Sequence, residues 1–450
     1  MSSPVKLHYQ EVFPPAEFAR RRAAVSAAIG DGVAVLQGAP ATGAFDLFRQ
    51  YNDFFYLTGV ECPHAYLTIH GKTGRSVLFL LPTDERLAEL EGAELAVTFP
   101  EETLRLTGCD DVKPLGALAD ELKSASHLFA PHLPQEGLQA CQDTLRVRAK
   151  MWSQDPWRGE PATLPQKLGE LCPSAELCDL SPILGNLRRI KSAAEVDQMR
   201  RTGRLTALAV SEAMRCTAPG MVEGQLRAVA EYVYLLNGAG GGGYRPIIAS
   251  GDNIWNIHYY RNNCRLEAGE LVLMDYAPDA ACYTSDIGRM WPVSGQYEPW
   301  QRELYGFVVD YQLLLLDIVR PGMTWDSLRG EVEAKMAPIL SRVRWSRPSF
   351  EQGVRDLLTT CNPLTHEVGM AVHDSSGYQT VPLEPGVVFA LDPQLWVREE
   401  KLYIRVEDTV VVTDTGIDNL TPQCPHDLDA VTELMREPGL TQLRPDLFAE

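Results

Sequence analysis

Leu266-Glu267-Ala268-Gly269 runs through five residues to Asp275, and Leu383-Glu384-Pro385-Gly386 runs through five residues to Asp392. Each stretch reads as a turn entering an apolar strand that ends on a carboxylate. The echo continues outward. A helix, Pro219-Gly220-Met221 and another helix come before the first copy; a helix, Pro321-Gly322-Met323 and another helix come before the second. A further strand follows in each half, carrying Asp286 in Ser285-Asp286-Ile287 and Glu407 in Val406-Glu407-Asp408. PG and LE pairs are common, but the matched order of several elements predicts a duplicated helix-and-strand unit. Such a unit can close into one curved sheet covered by helices, with a site between the halves.

The acids in these strands need partners. Asp275 ends the run Leu-Val-Leu-Met-Asp, Asp392 ends Val-Val-Phe-Ala-Leu-Asp, and Glu407 lies between Ile404 and Val410. A carboxylate in such a run is costly to bury unless it is paired or binds a cation. A single one is ordinarily paired with Arg or Lys; three or four converging in a repeated frame point to metal. Leu271–Asp275 and Tyr283–Val293 read as strands around a turn at Ala277–Ala281, and this hairpin can bring Asp275 and Asp286 to one face. The chain has only nine histidines. His258 follows Asn256-Ile257, and His366 and His373 share one ten-residue stretch. Four carboxylates with an imidazole suit Mn, Co, Fe or Zn rather than a thiolate site. A pair of such ions can hold a hydroxide between them. The run Gly238–Gly243 follows a helical stretch, Val222–Leu236, and opens a strand at Arg245–Ser250, so it reads as a flexible connector and not as a phosphate loop.

Helix and domain signals frame this region. Ser192 and Glu195 form a capping box. Val196, Met199, Gly203, Ala207, Val210 and Met214 then recur on one helix face. Upstream, Val33–Gln37, Ala65–His70 and Ser76–Leu81 read as strands in an α/β pattern, and Ser181–Arg189 reads as a linker. The fold class is therefore α+β, with a smaller α/β domain at 1–182 and the duplicated unit at 183–450.

The 450 residues carry a formal net charge of −19, which gives no footprint for nucleic acid or an anionic membrane. The ten cysteines form no CxxC pair. With no apolar signal segment at the start and no run approaching the ~20 residues of a membrane helix, a cytoplasmic location is expected.

Ile248-Ala249-Ser250-Gly251-Asp252-Asn253, Ile257-His258-Tyr259, Leu271–Asp275, Ser285-Asp286-Ile287, Val372-His373-Asp374 and Ile404-Arg405-Val406-Glu407-Asp408 occur in an order that resembles the pita-bread metallopeptidases. These include methionine aminopeptidase, proline dipeptidase and aminopeptidase P. Phe18-Ala19-Arg20-Arg21-Arg22 and Arg49–Gly59 resemble the accessory domain of aminopeptidase P. The resemblance implies that Asp275 binds one metal ion, that Asp286 and Glu407 bridge two, and that His366 and Asp392 bind the second. It implies that His258 and His373 line the substrate cleft, and that Arg405 orients the carboxylates. The general-base role of the family's glutamate would fall to Asp392. The implied reaction is hydrolysis of the N-terminal Xaa-Pro bond of small peptides by a hydroxide between two divalent ions, with Mn expected and Co or Zn as alternatives. A homodimer or homotetramer is expected. Xaa-Pro dipeptidase, a non-catalytic peptide- or protein-binding homologue and a metal-independent amidine hydrolase are the competing readings.

Three positions depart from the family pattern. Asp392-Pro393-Gln394 stands where an E-P-G turn is usual, Asn362 stands where H-G-x-x-H has its first histidine, and Ser375–Pro382 lacks an arginine often present there.

Overall fold

The computed structural model describes residues 6–44, 46–158, 162–374 and 381–443. The chain forms two compact units, Met1–Arg188 and Arg189–Glu450. The boundary falls at the end of a helix, Ser181–Arg189, where a linker was expected. Its Ser-Pro start suits a first helical turn, and Leu184 and Arg188 are buried.

The first unit is built on a mixed sheet. Its strands are β1 (Val33–Gln37), β2 (Tyr66–His70), β3 (Ser76–Leu80), β4 (Asp111–Pro114), β5 (His127–Ala130) and β6 (Glu176–Asp179), in the spatial order β4-β3-β2-β1-β5-β6. The Phe18–Arg22 stretch has a structural task here. Buried Arg21 lies over the Tyr56 ring and donates to Tyr56 O, and Arg22 donates to Leu57 O and Gly108 O. Two arginines thus satisfy carbonyls at the end of the helix Asn52–Thr58, which that helix leaves open.

The second unit shows the duplication directly. Its strands are β7 (Ile247–Ser250), β8 (Leu271–Asp275), β9 (Ile287–Pro292), β10 (Leu364–Glu367), β11 (Val388–Leu391), β12 (Gln394–Val397), β13 (Leu402–Arg405), β14 (Glu407–Val412) and β15 (Ile417–Asn419). The main sheet runs β10-β11-β14-β9-β8-β7, so each half contributes three antiparallel strands and the halves meet where β9 pairs with β14. β15 adds to β14, and β12 and β13 form a separate ribbon. The two Pro-Gly-Met turns make the same bonds: Gly220 N donates to Leu266 O and Leu266 N to Met221 O, while Gly322 N donates to Leu383 O and Leu383 N to Met323 O. The helices Ala193–Cys216 and Glu223–Leu236 belong to the first half; Pro299–Ile318, Trp325–Arg342 and Pro348–Thr360 to the second. One apolar cluster runs through both halves, from Ala207 and Val210 through Leu273 and Met290 to Phe389 and Val410.

The capping box forms as expected, with Ser192 Oγ accepting from Glu195 N and Glu195 Oε2 accepting from Ser192 N. On the expected helix face Met199, Gly203, Ala207, Val210 and Met214 are buried. The strand expected at Tyr283–Val293 begins only at Ile287, and Tyr283–Asp286 approaches it in irregular backbone. The Gly238–Gly243 segment, expected to be a flexible connector, is pinned. Gly240 N donates to Asp279 O, Gly243 N to Ala277 O, and Asp279 N to Gly241 O. Among the described residues no helix is long and apolar enough to cross a membrane.

Gly203 lets the helix Ala193–Cys216 approach the segment after β15, because a Cβ there would lie 2.2 Å from Leu420 O. Gly203→Ala is expected to lower stability by about 1–3 kcal/mol through overpacking, measured as a shift in the chemical-denaturation midpoint with an unchanged slope.

Candidate metal centre

The centre gathers where the halves meet. β8 ends on Asp275, and the irregular segment entering β9 brings Asp286 beside it; β14 opens with Glu407. Glu407 pairs with Gly288 across the junction of the halves, and β10 presents His366 from the other end of the sheet. Asp286, His366 and Glu407 place ligand atoms within 4.8 Å of one another. His366 Nε2 lies 3.4 Å from Asp286 Oδ2 and 3.9 Å from Glu407 Oε1.

Relative exposures of 3% for Asp275, 2% for Asp286 and 0% for Asp392 and Glu407 leave these acids almost no water. Arg405 answers three of them: Nη1 meets Asp275 Oδ2 at 2.5 Å, Nε meets Asp392 Oδ1 at 2.9 Å, and Nη2 meets Glu407 Oε2 at 2.5 Å. One guanidinium thus pairs with three of four buried carboxyl groups. Burial, followed by the charge of Asp275, pushes the Asp286 carboxyl well above the usual range. Burial also pushes Glu407 well above it and raises Asp392, against the pull of Arg405 in both cases. Burial, with His373 adding to it, holds His366 well below its ordinary value, so its imidazole is neutral and able to act as a ligand. Glu407 Oε1 is buried and accepts no hydrogen bond. A surplus of buried carboxylates, one of them with an oxygen lacking any donor, fits divalent cations.

Asp392, like Asp275, stands outside the tight group. Its Oδ1 accepts from Arg405 Nε, its Oδ2 accepts from Gln394 Nε2, and its backbone N donates to Pro363 O at 2.7 Å. Asn362 uses its side chain on the local turn, where Oδ1 accepts from Leu364 N at 3.0 Å. Of the Ser375–Pro382 segment, residues 375–380 lie outside the described residues.

The three histidines form a row. His366 and His373 have ring centroids 4.1 Å apart, and His373 and His258 6.5 Å apart. Exposed His258 stacks with Tyr260 at 6.1 Å. Buried Glu223 holds the loop that carries His258, its carboxylate accepting from Ser250 N, Asn253 Nδ2 and Cys264 N. Asp408, next to Glu407, accepts from Arg289, Gln312, Thr421 and His426.

Tyr244 escaped the sequence reading. Its hydroxyl lies 2.7 Å from Asp275 Oδ1 and 2.8 Å from Asp286 Oδ1, one proton shared between two acids. The available signal was its position at the end of the glycine run, separated from β7 by Arg245 and Pro246.

The fold and centre define a metallopeptidase of the pita-bread family. Residues 197–414 match the model for metallopeptidase family M24, and residues 18–130 match that for the aminopeptidase P N-terminal domain. The chain belongs to this family, and its pair of domains is that of aminopeptidase P. It is 28% identical to the Xaa-Pro aminopeptidase of Escherichia coli (strain K12), over 94% of this chain and 98% of that protein. It is also 28% identical to Xaa-Pro aminopeptidase 3 of Rattus norvegicus, over 86% of this chain and 76% of that protein. Among solved structures, proline aminopeptidase P II from Yersinia pestis is 28% identical with a TM-score of 0.77, covering 94% of this chain and all (100%) of that one. A zinc-substituted aminopeptidase P from E. coli in complex with product has a TM-score of 0.77 at 26% identity, covering 95% of this chain and 99% of that one.

Removing the Tyr244 hydroxyl takes away the donor that orients Asp275 and Asp286. Tyr244→Phe is expected to weaken divalent-metal affinity about 10- to 100-fold, the usual effect of losing a partner that orients a ligand. Calorimetric titration of the metal-free protein measures it.

Proposed function

We propose that the chain is an Xaa-Pro aminopeptidase, a metal-dependent hydrolase that releases the first residue of small peptides with proline second. The observation that carries this reading is the buried acids Asp275, Asp286, Asp392 and Glu407, three of them paired to a single guanidinium and with half-buried His366 beside them, in a chain that carries the aminopeptidase P pair of domains. Two divalent ions would balance that charge. Asp275 would hold one, Asp286 and Glu407 would contribute to both, and His366 and Asp392 would complete the other. Ions held there would supply water activation at neutral pH and polarisation of the scissile carbonyl. The rest of the work falls to side chains. Arg405 and Tyr244 fix the carboxylates before substrate arrives. His258 and His373, in a row that begins at His366, line the cleft and hold the scissile carbonyl or carry a proton.

Manganese is proposed as the native metal, because the donors are oxygen and imidazole without sulfur. A cytoplasmic location suits ten cysteines that are all free thiols. A homodimer or homotetramer is proposed as the assembly.

The manganese-loaded enzyme is expected to release Xaa from Xaa-Pro-Yaa, to lose most of that rate when alanine replaces proline, and to lose all of it in chelator. Equal turnover of the proline and alanine peptides would remove the proline assignment, and cleavage confined to Xaa-Pro dipeptides would make the protein a dipeptidase. His258→Ala and His373→Ala should each lower kcat/KM by roughly 10²-fold or more. Metal content and Tm should stay near the parent's; an unfolded or metal-free variant would assign that histidine to the scaffold.

A further inference from the structure

We propose that Arg245, set over the ring of Tyr260, binds a carboxylate of the peptide substrate beyond its proline, so that the enzyme favours peptides presenting a negative charge there. The proposal rests on the aminopeptidase reading and deepens it by naming a specificity residue in the same cleft.

The row of rings does not stop at His258. His366 and His373 have centroids 4.1 Å apart, His373 and His258 6.5 Å, and His258 and Tyr260 6.1 Å, and the guanidinium carbon of Arg245 lies 4.4 Å from the Tyr260 centroid. The row therefore begins beside the buried acids and ends on a cation. An extended peptide advances about 3.3 Å per residue, so each step of the row spans one or two residues. Only one residue precedes the scissile bond in a substrate of this class, and it carries an ammonium group that a guanidinium repels. Arg245 thus suits the other direction, toward the residues after the proline, where the chain ends in a carboxylate.

Arg245 is both available and held in place. It is exposed, and it forms no ion pair among the described residues, in a chain with 60 acids against 41 lysines and arginines. On one side its backbone is fixed by buried Tyr244, whose hydroxyl is committed to Asp275 and Asp286. On the other side stands buried Pro246, which favours extended backbone at the residue before it. The loop that carries Tyr260 is tied to the same strand, because Asn262 Nδ2 donates to Ile248 O in β7 at 2.8 Å. A guanidinium resting on a ring keeps its N–H edge for a carboxylate, which it can take through two parallel hydrogen bonds. Arg261 follows Tyr260, is also exposed and forms no ion pair among the described residues, and so adds to the local positive charge.

Steady-state kinetics of the manganese-loaded, full-length enzyme test this on Ala-Pro-alanine peptides of increasing length, each as the free acid and as the C-terminal amide. A second series of amides carries Asp or Asn at successive positions after the proline. At one length the free acid should show a KM about 5- to 10-fold below that of its amide, the scale of a single charge-assisted contact in solvent. High salt should shrink that advantage. Arg245→Met should raise KM for this free acid to the level of the amide, with no matching fall in kcat. Tyr260→Phe keeps the ring and should keep the advantage, whereas Tyr260→Ala should lose most of it. An advantage confined to free acids assigns the C-terminal carboxylate; an advantage of Asp over Asn that Arg245→Met removes assigns an acidic side chain. Equal KM for every acid and amide pair with no preference for Asp, or a preference that survives in Arg245→Met, would overturn the proposal and leave the aminopeptidase reading standing. So would an Arg245→Met variant that raises KM for acid and amide alike, since that places Arg245 in the scaffold. A parent that turns over none of these peptides would overturn both.

Discussion

Arg405 touches Asp275, Asp392 and Glu407 at once, and none of the four groups has appreciable access to water. Most of the second unit can be understood as the means of building and then balancing this cluster. A buried carboxylate stripped of its partner costs several kcal/mol, and with Asp286 added the acids outnumber the one guanidinium. Lowering the charge by protonation is one answer, and the raised values of Asp286, Asp392 and Glu407 follow that route. Divalent cations are the other answer, and they alone allow every acid to ionise. A centre of this kind is poised for metal because the fold leaves it short of positive charge.

Such a cluster needs rigid walls. The palindromic sheet supplies them by placing β9 against β14, so that Glu407 starts one strand and Asp286, from the opposite half, immediately precedes its neighbour. Behind Glu407, Asp408 accepts from Arg289, Gln312, Thr421 and His426, and Arg289 also donates to Glu407 O at 2.5 Å. Arg289 and His426 hold Asp408 well below the usual carboxylate range despite its burial. The contrast between adjacent acids is instructive. Asp408 is saturated with donors and stays charged as a strut, whereas Glu407 keeps an oxygen free for a cation.

The duplication, the strands ending on acids and the convergence of Asp275, Asp286, His366 and Glu407 were legible in the sequence because each leaves a local mark: a repeated turn, an acid closing an apolar run, a scarce histidine. Tyr244 left no such mark, since a tyrosine before a strand is ordinarily packing, and only the pinning of Gly240 and Gly243 against the Ala277–Asp279 turn aims its hydroxyl at two acids. The glycine run looked flexible for the same reason: the bonds that fix it come from a turn more than thirty residues away. The clamp on Asp392 was out of reach too. It depends on the register that sets Gln394 opposite Arg405, and register is a property of paired strands rather than of either one.

That register changes how the departures from the family pattern read. Taken singly, Asp392, Gln394 and Asn362 look like three independent losses. In the structure they are contiguous. Asn362 shapes the turn into β10 by accepting from Leu364 N, Pro363 O in that turn accepts from Asp392 N, and Gln394 closes on Asp392 Oδ2. Asp392 ends one methylene short of a glutamate, and a donor from the ribbon meets its carboxylate there. A histidine at 362 would put a ring where the amide now closes a tight turn. The three residues therefore form one chain of contacts, and each is intelligible only with the other two. The scaffold still gathers the ligands.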